Sequence, residues 1–65
     1  MDEATITKVR EAAWNKGFAF GKYTQDIPLT QDVIELMENS NELIRLFIEQ
    51  FKRGAQAGQL ETLRN

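Results

Sequence analysis

The chain contains no cysteine and no histidine, one proline, and six aromatic side chains among 65 residues. Without cysteine there are no disulfides and no thiolate nucleophile. Without histidine the usual general base and the commonest transition-metal ligand are missing. A metal site would rest on carboxylates alone, which suits only hard cations, and no acidic stretch carries calcium-loop spacing. The glycines lie in apolar, helix-like context rather than after a strand, so no phosphate-cradling loop is present. Neighbouring acids such as Glu35 and Glu38 read as a solvated face, since 65 residues hardly build the cleft that carboxylate catalysis needs. No enzyme activity, catalytic residue, cofactor or metal is therefore expected.

Long apolar runs are also lacking. The acidic start Met1-Asp2-Glu3 leads into a mixed sequence. Neither a secretory signal nor a membrane span is expected, and the cytoplasm is the simplest location.

Sixty-five residues make one domain, 1–65, and a chain of that size buries only about 60% of its unfolded surface. With disulfides and metals set aside, oligomerisation is the remaining remedy, and a homodimer is expected. The net charge of −2 is unevenly spread. Residues 1–25 hold four bases and three acids, residues 26–50 six acids and one base, and residues 51–65 three bases and one acid.

The periodicity predicts an all-α fold, a small bundle of three helices over about 4–22, 30–38 and 41–57. In the first, Ile6, Val9, Ala13, Gly17 and Phe20 recur at steps of three and four and share a face. Trp14, Phe18 and Gly21 lie beside it, so the apolar surface approaches half the helix circumference. Asp2 or Thr5 can cap its start. Gly21 suits either a packed position or a stop. Pro28 marks a connector over 22–29, from which Tyr23 and Ile27 can fold back onto the core. Thr30 and Asp32 give a second start, and Asn39-Ser40-Asn41 breaks the pattern again. In the third helix Leu43, Ile44, Phe47, Phe51, Gly54, Ala55 and Gly58 share a face with Ile48 at its edge, and residues 59–65 are expected to fray.

One pattern occurs twice. Trp14-x-x-Gly17-x-x-x-Gly21 and Phe51-x-x-Gly54-x-x-x-Gly58 each set an aromatic and two glycines at the same intervals, with a base, Lys16 or Arg53, before the first glycine. Small residues four apart form a line along which another backbone can come closer than the ordinary separation of about 8–10 Å between helix axes. Two interior glycines cost a helix about 1 kcal/mol each relative to alanine, so their placement on the apolar face implies close packing of the first helix on the third. The helix-packing and interface set is then Ala13, Trp14, Gly17, Phe18, Gly21, Phe47, Phe51, Gly54 and Gly58. Lys16, Lys22, Lys52 and Arg53 are candidate basic contacts.

Lys16-Gly17-Phe18 with Gly21 resembles a pattern in the small ribosome modulation factor family. There a base, a glycine and an aromatic precede a further glycine in an early helix, and a second aromatic–glycine cluster lies near the end. The likeness spans about nine residues. Ala55 stands where the family tends to have an aromatic, and the chain is acidic where the family is strongly basic, as ribosomal RNA binding requires. No functional residue is carried over.

For function, the excess of apolar helix face, with Trp14, Phe18 and Tyr23 foremost, points to a small non-enzymatic protein-interaction module. Tryptophan and tyrosine are frequent interface anchors. A regulator or inhibitor of the phage or plasmid accessory kind fits the size and composition. The alternative is a nucleic-acid- or ribosome-associated helical regulator, with the second and third helices imitating a helix-turn-helix. Phosphate contacts dominate such binding, and Glu49 beside Arg45, Lys52 and Arg53, together with the acidic second helix, argues against it.

Overall fold

A computed structural model describes residues 2–64. Three helices pack together: α1 (Glu3–Tyr23), α2 (Gln31–Glu38) and α3 (Asn41–Arg64). The body is a rod of 39 × 18 × 17 Å. Its length is that of α3, since 24 residues at 1.5 Å each span about 36 Å. No described helix is long and apolar enough to cross a membrane.

Asp2 caps α1, its carboxylate accepting from the Ala4 amide at 3.2 Å. Gly21 does not end the helix. The stop is Thr24, which takes the left-handed conformation (φ 56°, ψ 31°) and donates its amide to the Phe20 carbonyl at 3.0 Å. The next amide, Gln25, reaches the Ala19 carbonyl at 3.3 Å. A β-branched residue is strained there, by about 1–2 kcal/mol. Thr24→Gly should therefore raise the melting temperature by several degrees, part of the strain relief being offset by the freer unfolded glycine. An unchanged or lower midpoint in a far-UV circular dichroism melt would show that the cap carries no strain.

Thr30 occupies the cap position of α2, but its hydroxyl makes no capping hydrogen bond. Asn39 and Ser40 separate α2 from α3, and the Ser40 Oγ accepts from the Leu43 amide at 3.3 Å. The expected end of the third helix near residue 57 is wrong. α3 continues to Arg64. The extension has a tertiary cause: Gly58 is buried against α1, and the Thr62 hydroxyl donates to the Lys22 carbonyl at 3.3 Å. Packing thereby overrides the tendency of the terminal residues to fray.

The fully enclosed side chains are small. Val9, Ala13, Ala19, Val33 and Leu43 form the core, and Val9 is the largest side chain wholly out of water. Tyr23 and Ile27 do not fold back onto it, being 61% and 40% exposed. The connector is instead tied down by Lys16, whose ammonium donates to the Asp26 carboxylate and to the Ile27 carbonyl, both at 2.5 Å. A further ion pair, Lys8 with Asp32 at 3.0 Å, links α1 to α2 on the surface.

Candidate functional site

The glycines place everything else. A methyl group at Gly17 would lie 2.9 Å from the Phe51 carbonyl carbon and 3.0 Å from the Ala55 nitrogen. One at Gly54 would lie 3.0 Å from both the Trp14 carbonyl carbon and the Phe18 nitrogen. Gly21 meets the backbone of Ala55, and Gly58 that of Phe18 and Lys22. In each case the nearest atom is a carbonyl oxygen: Phe51, Ala55, Trp14 and Phe18 respectively. The hydrogen that glycine carries in place of Cβ is thus directed at a carbonyl, the arrangement of a weak Cα–H···O contact.

These contacts advance together along both helices. Gly17 and Gly21 face residues 51 and 55, and Gly54 and Gly58 face residues 14, 18 and 22. α1 and α3 are therefore parallel, with the short α2 returning the chain between them. The nearest contact of each glycine also has a counterpart in the other helix. Position 14 corresponds to 51, 17 to 54, 18 to 55 and 21 to 58, a constant shift of 37 residues. The repeat in the sequence is a pseudo-two-fold axis in the structure. The expected packing of the first helix on the third through their glycine lines is what the molecule shows.

A two-fold axis running between two parallel helices sends equivalent residues to opposite sides of the pair. Trp14 and Phe51 consequently open two different faces. On the first, Trp14 and Phe18 stack with ring centroids 5.1 Å apart and an angle of 14°. The Lys22 ammonium lies 5.8 Å from the Phe18 ring centre and 5.2 Å from that of Tyr23, within cation–π range. On the second, Phe51 joins Phe20 of α1 at 6.1 Å and Phe47 at 6.3 Å. Ile44 and Ile48 continue this row one turn apart and are 39% and 49% exposed, as is Phe20 at 48%. Phe47, Ile48, Phe51 and Lys52 border a shallow depression. A neighbouring one, sharing Ile48 and Lys52, is bordered by Arg45, Glu49, Arg53 and Gln56.

The expected site residues thus divide. Gly17, Gly21, Gly54 and Gly58, with Ala13, are spent on the internal seam. Trp14, Phe18, Phe47 and Phe51 flank that seam and keep part of their surface in water. Lys16 is held in the connector, Lys22 lies over two rings, and Arg53 pairs with Glu49 at 2.8 Å. Lys52 alone of the four expected basic contacts makes no ion pair or ring contact. The interface set expected from the sequence omits Phe20, Ile44 and Ile48. The spacing of 44, 48, 51 and 55 is the signal that would have found the stripe, because alternating steps of four and three trace one side of a helix.

No protein-family description, curated protein or solved structure matches the chain.

Proposed function

We propose that this chain is a small non-enzymatic interaction module, a cytoplasmic regulator or inhibitor, that docks another protein on the face formed by Phe20, Ile44, Phe47, Ile48 and Phe51. One observation carries the reading. The fold closes through a backbone-to-backbone seam of glycines, and this leaves the large apolar side chains outside it. A folded chain of 7.5 kDa should expose roughly 4,200 Å², and this one exposes 4778 Å². Part of that excess is the rod shape. The rest includes a connected row of aromatic and aliphatic side chains of the kind that marks interaction sites.

The test is capture from the native host with the tagged protein and with an Ile44→Glu/Ile48→Glu variant. Both positions are part-exposed, so the variant should keep its helical circular dichroism. A protein retained by the parent and lost by the variant supports the reading. Equal retention by both, or retention of nucleic acid rather than protein, overturns it.

A further inference from the structure

Resting on that docking reading, we infer that the occupant of the α3 face is an acidic amphipathic helix of another protein. Ile44, Ile48, Phe51 and Ala55 follow the four–three–four spacing of a helix-pairing stripe. The stripe covers twelve residues of α3, about three turns, so it fits a helix of about that length. Its flank is mainly basic, with Arg45, Lys52 and Arg53 against one acid, Glu49. Arg45 and Lys52 stand one residue after Ile44 and Phe51, seven apart, and border the depressions that contain Ile48. Neither makes an ion pair, whereas Arg53 beside them is answered by Glu49. Two unanswered cations beside an apolar stripe, in a protein whose net charge is −2, call for carboxylates at matching intervals on the incoming helix.

The same arrangement disfavours a second copy of this chain. An antiparallel α3–α3 pair centred between Phe47 and Ile48 sets Ile44 against the other copy's Phe51. It also brings Arg45 of each copy towards Lys52 of the other, two like-charge contacts along one edge. Juxtaposed like charges are a means by which an interface rejects a wrong partner.

Two synthetic helical peptides of eighteen residues or so provide the probe. Both carry the same leucine stripe; one has glutamate and the other lysine on its flanks. Binding is followed by Trp14 fluorescence anisotropy or calorimetry with the intact protein, at low and at physiological salt. The expected result is that the glutamate peptide binds at least tenfold more tightly than the lysine peptide, with the difference shrinking as salt rises. Arg45→Glu/Lys52→Glu should reverse the preference, and Ile48→Glu should abolish binding of both. Equal binding of the two peptides, binding of neither, or a parent protein that sediments as a dimer and loses it on Ile48→Glu would overturn the inference. The last two results are separable from failure of the docking reading. If host capture still depends on Ile44 and Ile48 while the glutamate peptide fails, the module stands and only its acidic helical partner falls.

Discussion

Gly17→Ala and Gly54→Ala should each lower the melting temperature, by up to about 15 °C. Two effects oppose one another. Replacing an interior glycine by alanine favours the helix by about 1 kcal/mol. The new methyl, however, would meet main-chain atoms of the facing helix: at Gly17 the Phe51 carbonyl and the Ala55 nitrogen, at Gly54 the Trp14 carbonyl and the Phe18 nitrogen. A flexible side chain could turn aside from it; a helical backbone has to move as a unit. Overfilling a packed site costs about 1–3 kcal/mol or more, and in a domain of this size each kcal/mol shifts the midpoint by about 4–8 °C. The clash should win. The pseudo-two-fold adds a stricter expectation, that the two variants lose nearly the same stability. The double variant should lose less than the sum, because helices already pushed apart by one methyl accommodate the second more easily. Thermal and urea denaturation of the three proteins measures all of this. A midpoint raised by either single substitution would mean that the helices do not approach through these glycines.

Leu43→Ala should remove most of the stability. Leu43 is 3% exposed, in a core whose other members are Val9, Ala13, Ala19 and Val33. Deleting a buried leucine costs about 2–5 kcal/mol. At 0.05–0.15 kcal/mol per residue, a domain of this size holds only about 3–10 kcal/mol in total. The variant should be substantially unfolded at 37 °C by far-UV circular dichroism. Leu63→Ala is the control. Leu63 is 81% exposed, and its loss should change the unfolding free energy by less than about 0.5 kcal/mol. Similar losses in the two proteins would place the core elsewhere.

The all-α fold and the meeting of the first and third helices were legible because both rest on local spacing. Glycines at 17, 21, 54 and 58 carry a propensity cost that only close approach explains, and a recurrence of one pattern in two helices suggests that they pair. The end of α3 was not legible. Leu60 and Leu63 lie largely in water, so no periodic apolar signal extends the helix; what holds it is the seat of Gly58 and the Thr62 bond to the Lys22 carbonyl. Thr24 was equally hidden, because threonine is a poor choice for a left-handed stop and Gly21 stood three residues before it. The site was half legible. Phe51 follows from the aromatic–glycine pattern and Phe47 from the apolar face of the third helix, and the structure places both, half-buried, on the apolar row. Phe20 was assigned to the packed face of the first helix, yet it is 48% exposed. Which residues stay wet beside a seam depends on how far the short α2 and the connector reach, and that is a property of three-dimensional arrangement rather than of spacing.

The parallel course of α1 and α3 also bears on how quickly the native state is reached. In an up-and-down bundle each helix docks on the one before it, and local contacts form early. Here the principal contacts join residues 34 to 40 positions apart, from Gly17–Phe51 to Gly54–Trp14, so a loop of more than half the chain must close before the seam begins to form. Loop closure of that kind is paid in entropy ahead of any gain, and folding slows as contacts become more distant along the chain. This molecule should accordingly fold more slowly than its helical content and small size imply, in the range of mixed α/β domains rather than of the fastest helical bundles.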